Sequence, residues 1–209
     1  MRLRSRCASA LLLAATTFTA CDSVRDSIDR MKGKPMVEGA TMEPALPRPD
    51  LTMTSTSGQT YDFGKETKGK VTLITFGYTH CPDVCPVHMA NIAAALKQLP
   101  ATQRNAVTVV FVTTDPGRDS LTQLRAWLNS FDTAFVGLRG TDEQLVAMER
   151  AFRIPPAERE YLPGGGYGVG HSAEVFAFTP DDSAHVIYVP GMTSSYYVHD
   201  IPRLLRDVY

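Results

Sequence analysis

Val71-Thr72-Leu73-Ile74-Thr75-Phe76-Gly77 runs directly into Tyr78-Thr79-His80-Cys81-Pro82-Asp83-Val84-Cys85-Pro86, and the junction between the two stretches decides the fold. The first stretch is β-branched or apolar almost throughout, the pattern of a strand buried on both faces of a parallel sheet. Beyond the second cysteine, Met89, Ile92, Ala93, Leu96 and Leu99 recur at helical spacing, and Val107 to Val112 is another buried strand. Strand, helix, strand is a βαβ unit. It puts both cysteines at the carboxyl end of a strand and beside a helix N-terminus, where open α/β sheets gather ligands and reactive groups.

The alternation continues toward the C-terminus. Ser120-Leu121-Thr122-Gln123 predicts a capping box opening a helix through Trp127 and Leu128, Phe135 to Leu138 a strand, and Thr141-Asp142-Glu143-Gln144 a helix through Phe152. Pro155 to Gly170 has no core pattern and contains Gly164, Gly165, Gly166, Gly168 and Gly170, so it is expected to be a mobile loop. Ala173 to Phe178, the turn Pro180-Asp181-Asp182 and His185 to Val189 predict a hairpin on the same sheet. A last helix is expected from Ser194 or Ser195, its regularity limited by Pro202.

Toward the N-terminus, Leu51 to Ser55 and Tyr61 to Phe63 alternate around Gly58 and predict an N-terminal hairpin at the domain edge. Ser23 to about Pro49 sustains no periodicity and is broken by Gly33, Pro35, Gly39, Pro44, Pro47 and Pro49, so it reads as a tether. Met31, Met36, Met42 and Met53 recur there, and thioethers are soft ligands, but their spacing suits no pocket and they are taken as apolar filler. The expectation is one α/β domain over residues 50–209, a central mixed sheet flanked by helices.

Arg2, Arg4 and Arg6 precede the run Ala8 to Ala15, which is shorter than the ~20 residues of a membrane span, so residues 1–20 read as a signal peptide. Phe18-Thr19-Ala20-Cys21 resembles a bacterial lipobox, which predicts lipidation of Cys21 at the head of the 21–49 tether. Asp22 resembles the signal that retains such lipoproteins at the inner membrane, facing the periplasm of the bacterial cell envelope. Without the three leader arginines the chain carries a net charge of about -4, which argues against a nucleic-acid partner.

Cys7 leaves with the leader and Cys21 carries lipid, so Cys81 and Cys85 are the thiols of the folded domain. One local pair closes too small a loop to staple the fold, so chemistry explains the pair better than stability does. Their spacing puts both on one helical face with Cβ atoms about 5–6 Å apart. A disulfide needs about 3.8 Å, so oxidation requires an unwound first turn or Cys81 outside the helix. A helix N-terminus favours the thiolate, whereas the Asp83 carboxylate is expected to oppose it and to favour a cation or a partner. Two thiolates with an imidazole would hold cuprous ion and tolerate cupric ion. Zinc accepts the same donors, but a closed zinc site wants four protein ligands and no second cysteine pair exists.

At these residues the chain resembles the Sco/SenC family, thioredoxin-like copper proteins that serve assembly of the dinuclear copper centre of cytochrome c oxidase. The resemblance covers most of Leu51 to Tyr209 and rests on Gly77 to Pro86, on Thr114-Asp115-Pro116-Gly117-Arg118-Asp119, and on His171-Ser172 ahead of the last hairpin. It implies a thioredoxin-like fold, one copper per domain held by Cys81, Cys85 and His171, and Asp83 near the metal or at a partner surface. It places Asp115 and Arg118 in a turn near the metal, while Asp119 or Ser120 reads as the cap of the next helix. The implied partner is a copper-accepting oxidase subunit, besides other periplasmic copper chaperones or thiol-disulfide proteins.

Two departures stand out. Gly170 occupies the position before the histidine where the family commonly has an acidic residue, and His88 lies one turn beyond Cys85, where it is either an auxiliary ligand or a solvated helix residue. His80 is expected to shape the loop, and His185 and His199 to be structural. Two functions remain open: a copper metallochaperone, or a membrane-tethered thiol-disulfide oxidoreductase in which Cys81 and Cys85 are redox groups and reduce a partner's cysteines. Peroxide reduction needs a strongly activated thiolate, against which Asp83 argues.

Overall fold

The computed structural model describes residues 36–207 together with Val24 and Tyr209; the leader, Cys21, Asp22 and Met31 lie outside the described residues. No helix among them is long and apolar enough to cross a membrane. Val37 to Tyr209 form one unit.

The strands are β1 (Ala40–Pro47), β2 (Thr52–Ser55), β3 (Thr60–Asp62), β4 (Val71–Gly77), β5 (Val107–Thr113), β6 (Val136–Arg139), β7 (Glu158–Tyr161), β8 (Tyr167–Gly170), β9 (Val175–Phe178) and β10 (Ser183–Tyr188). The helices are α1 (Phe63–Thr67), α2 (Val84–Gln98), α3 (Ala101–Arg104), α4 (Leu121–Asn129), α5 (Asp142–Ala151) and α6 (Ser194–Leu204). Eight strands form one mixed sheet in the order β1-β10-β9-β4-β5-β6-β2-β3. β4, β5 and β6 run parallel, and β9 and β2 flank them antiparallel.

β4 is buried along its whole length, and its pleat divides it between two cores. Val71 and Leu73 pack with Met89, Ile92 and Leu96 of α2, and with Leu124 and Leu128 of α4 and Ile201 of α6. Ile74 and Phe76 face Phe63, Leu145, Met148 and Phe152 on the other side. Each such side chain taken from water contributes about 1.5–3 kcal/mol, which holds β4 in the centre of the sheet. Pro86 is tolerated in the first turn of α2, and Pro100 ends that helix because the residue before a proline avoids the helical region; Leu99 is extended, at φ -82 and ψ 150.

Three expectations need correction. The segment read as a tether contains β1, which pairs with β10 on the sheet edge and buries Val37 and Leu46, so the folded unit starts ahead of residue 50. Pro44 and Pro47 hid it: an edge strand tolerates prolines, and a register shift between Thr41 and Leu46 breaks the alternation. The glycine-rich stretch is the β7–β8 hairpin, not a structureless loop. Gly165 and Gly166 take positive φ in its turn, and β7 is exposed along its length, so no apolar alternation marks it. The capping box at α4 is half made: Ser120 caps Gln123 N–H, but the Gln123 side chain donates to Thr79 instead, whereas the box at α5 is complete.

The remaining elements follow the sequence. The β2–β3 hairpin lies at the sheet edge, β9–β10 joins the same sheet, and α6 contains Pro202. Met53 is core and Met42 packs against it.

Candidate metal centre

Gly77 closes β4 and the chain turns at Tyr78–His80, where the Cys81 N–H donates to the Tyr78 carbonyl at 3.1 Å. Cys81 lies ahead of α2, which begins at Val84, whereas Cys85 sits buried in its first turn. Both are free thiols. With Cys81 outside the helix, the regular-turn spacing no longer separates the pair, and oxidation does not require the helix to unwind.

β8 delivers His171 to the same place. The ligand atoms of Cys81, Cys85 and His171 all lie within 4.8 Å of one another, and His171 Nε2 is 3.5 Å from the Cys85 sulfur. The Ser172 carbonyl, an acceptor only, stands 2.8 Å from His171 Nδ1, so in the neutral ring the proton sits on Nδ1 and the Nε2 lone pair faces the sulfurs. The Tyr78 ring meets the imidazole edge-on, with centroids 5.6 Å apart.

The two thiols are unequal. Hydrogen bonding from Cys85, with further bonds from the Asp83 and Cys85 N–H groups, outweighs burial and pulls the Cys81 pKa down to about 4. The same hydrogen bond, burial and the Cys81 charge push Cys85 well above the ordinary thiol range. One thiolate, on the more exposed sulfur, is the resting state at neutral pH. Asp83 takes part through its backbone: its N–H bonds the Cys81 sulfur, while its carboxylate is exposed to water.

The turn after β5 holds this loop. Asp119 is fully buried; its Oδ2 accepts from Thr79 N at 2.9 Å and Thr113 Oγ1 at 2.6 Å, and its Oδ1 from Thr79 Oγ1 at 2.6 Å. The reading of Asp119 as a helix cap is corrected, since Ser120 takes that place and leaves the carboxylate to clamp the cysteine loop. Both Asp119 and Thr79 were visible in the sequence, but only the parallel β4–β5 pairing brings them together.

Asp115 and Arg118 stand one step further out. Arg118 bonds the buried Asp115 through Nε, donates from Nη1 to the Tyr167 carbonyl at 2.9 Å, and lies 3.7 Å over the Tyr167 ring. Tyr167 OH returns a 2.9 Å hydrogen bond to Asp115. This cluster fastens the β7–β8 hairpin to the domain, and Arg118 also faces the Tyr78 ring at 5.5 Å. Tyr167, unmarked in the sequence, is what joins the pair to the His171 strand.

Gly170 is where a carboxylate from elsewhere reaches in: a Cβ there would meet Glu160 Oε1 at 3.0 Å. His171 opens on a groove of about 470 Å³ lined by Glu158, Glu160 and Glu174 among others. His88 is buried at 3% exposure, which overturns its reading as a solvated residue, and it is not among the clustered ligands. Burial above all, then the nearby His171, lowers its pKa, so its ring is neutral. His80 bonds Thr79, His185 bonds Asp181 and His199 bonds Asp200, each away from the sulfurs.

A mixed sheet with helices on both faces, and a dithiol and an imidazole at the end of its central strand, define a thioredoxin-like protein with a soft-metal or redox centre. A family model described as SCO1/SenC matches residues 40–206, and the chain belongs to that family. Protein SCO1 homolog 1, mitochondrial, of Arabidopsis thaliana is 32% identical over 117 residues, covering 56% of this chain and 35% of its own. Protein sco1 of Schizosaccharomyces pombe is 32% identical over 150 residues, covering 68% and 53%. The chain thus spans about half the length, or less, of these relatives. Among solved structures, apo Sco1 of Thermus thermophilus superposes with TM-score 0.72 at 27% identity, over 81% of this chain and 97% of that one. Bradyrhizobium japonicum ScoI with copper bound gives 0.68 at 29%, over 76% and 99%.

Proposed function

We propose that the chain is a copper chaperone that takes one copper ion as cargo on Cys81, Cys85 and His171 and passes it to a copper-accepting subunit of cytochrome c oxidase. The observation that carries this reading is the convergence of two sulfurs and an imidazole lone pair within 4.8 Å at the end of β4. The donor set suits cuprous ion and tolerates cupric ion, and with three clustered protein donors it falls short of a closed zinc site. That the Bradyrhizobium japonicum relative is described with copper bound supports the assignment.

The inequality of the thiols shapes transfer. Cys81, already a thiolate and partly exposed, is the first sulfur to meet an ion or an acceptor's ligand, while Cys85 gives up its proton as the ion enters. The acidic groove beside His171 and the exposed Asp83 border the route along which acceptor ligands replace the protein's own one by one. Asp115 and Arg118 hold the hairpin through which His171 is delivered.

The leader reading supports a site of action at the inner membrane, facing the periplasm, with Cys21 lipidated and a tether reaching to about Val37. A signal peptide over residues 1–20 and a folded domain from about Val37 to Tyr209 complete this organisation.

A second reading is favoured by the same inequality. A partly exposed thiolate beside a buried, protonated thiol can attack a partner's disulfide through Cys81 and release the partner's dithiol when Cys85 closes the Cys81–Cys85 bond, two electrons passing to the partner. Mixing the copper-loaded, reduced chain with an oxidase dinuclear-copper domain separates the two. Copper moving to a pre-reduced acceptor supports the chaperone. An acceptor that gains thiols but no copper makes the oxidoreductase reading the better one.

A further inference from the structure

Glu149 is a buried carboxyl that the site described above does not use. It lies on α5 and is 2% exposed; its Oε1 accepts the Ala157 N–H at 3.0 Å, and its Oε2 is buried without a partner. Its backbone is engaged as well, since the Glu149 carbonyl accepts the Ile154 N–H at 3.1 Å. Pro155 and Pro156 stand between these two donors and have no N–H of their own. One residue thus grips both ends of Ile154-Pro155-Pro156-Ala157, a segment that belongs to no helix or strand.

That segment leads to the metal centre in two ways. Pro155 and Pro156 line the groove on which His171 opens. Ala157 directly precedes β7, and Glu158, the first residue of β7, pairs with Gly170, the residue before His171. The Tyr167 cluster fastens the hairpin at the opposite end of this ladder, where Tyr161 pairs with Tyr167. A carboxyl with one oxygen unpaired in the interior is costly, and an apolar side chain of similar length would fill the space without that cost. What the carboxyl adds is the bond to Ala157.

We propose that Glu149 is a positioning residue for the metal centre: by gripping Ile154 and Ala157 it fixes the proline wall of the groove and the end of the hairpin from which His171 reaches the sulfurs. Glu149 touches no cargo in this arrangement and acts through Ala157, β7 and β8. The consequence for copper rests on the reading of His171 as a ligand; the fixing of the hairpin does not.

The test uses the full-length, reduced, metal-free chain with Glu149→Gln and Glu149→Met, and reads amide hydrogen exchange at residues 157–161 and 167–170. Both replacements keep the length of the side chain; glutamine retains an oxygen for the Ala157 N–H, whereas a thioether is a weak acceptor. Exchange is expected to rise about tenfold or more in the methionine variant, as the loss of a buried hydrogen bond implies, and to stay within about twofold of the parent with glutamine. Release of cuprous ion to a chelator should follow the same order, and exchange in β4 and β5 should not change. Parental exchange in the methionine variant, or glutamine and methionine behaving alike, overturns the proposal. A methionine variant that loses protection in β4 and β5 as well overturns it too, since Glu149 then supports the whole fold. Faster exchange with unchanged copper release confines Glu149 to the hairpin and overturns its role at the metal centre. A parent that takes up no copper contradicts the chaperone reading, while the exchange data still decide whether Glu149 fixes the hairpin.

Discussion

A Cβ on Gly77 would stand 2.5 Å from the Cys85 sulfur and 3.1 Å from the Phe111 ring, so the last residue of β4 is the floor on which the second cysteine rests. No side chain fits between strand and sulfur. Gly77→Ala is expected to push Cys85 away from His171, costing about 1–3 kcal/mol in stability. Copper affinity should fall with it, and denaturant unfolding together with competition against a copper chelator measures both. A variant with parental stability and affinity would show that the sulfur is free to move.

Asp119 holds the loop from the other side. Asp119→Ala leaves the Thr79 N–H and two threonine hydroxyls without their acceptor, at a cost of roughly 3 kcal/mol. Asp119→Asn keeps the shape and should recover part of that loss. Urea unfolding midpoints give the order; an alanine variant as stable as the parent would mean that water replaces the carboxylate at no cost.

The inequality of the thiols has a pH signature. A group whose pKa is depressed keeps its charged form until the pH falls through the lowered value, here about 4 against an ordinary 9. Alkylation of Cys81 should therefore change little between about pH 6 and 8, where an ordinary thiol gains about tenfold per unit. Cys85, shifted upward, should remain unmodified across that range. Peptide mapping after brief iodoacetamide treatment reads each site, and a rate at Cys81 that climbs through pH 8 would remove the thiolate from the resting state.

Tyr167 fastens the hairpin. Loss of its hydroxyl in Tyr167→Phe removes a bond to the buried Asp115, an expected cost of about 1–2 kcal/mol, with faster amide exchange in β7 and β8. Tyr161→Phe, at a side chain 77% exposed, should change stability by less than about 0.5 kcal/mol. Equal effects at the two tyrosines would count against the latch.

Much of this arrangement was legible in the sequence because burial writes periodicity. β4, α2 and β5 lie between two cores, and their apolar spacing shows it. Cys81, Cys85 and His171 were identified by motif, and the distance between the first two and the third closes only through folding. What stayed hidden has no apolar signature: β1 at an edge broken by prolines, and the β7–β8 hairpin, solvated on β7 and turned by glycines. Asp119 and His88 were misread for a related reason. A buried polar residue looks like a solvated one until its surroundings are known, and for Asp119 they include Thr79, far away along the chain.

The central claim is the three-ligand cargo site, and metal content tests it most directly. The chain is purified reduced and without oxygen, beginning ahead of Val37 so that β1 is intact, and loaded with cuprous ion beside Cys85→Ser and His171→Ala. About one copper per parent chain, with little retained by either variant, is the expected result. Full retention by His171→Ala would contradict the site as drawn, and full retention by Cys85→Ser would contradict the pairing of the two sulfurs on one ion.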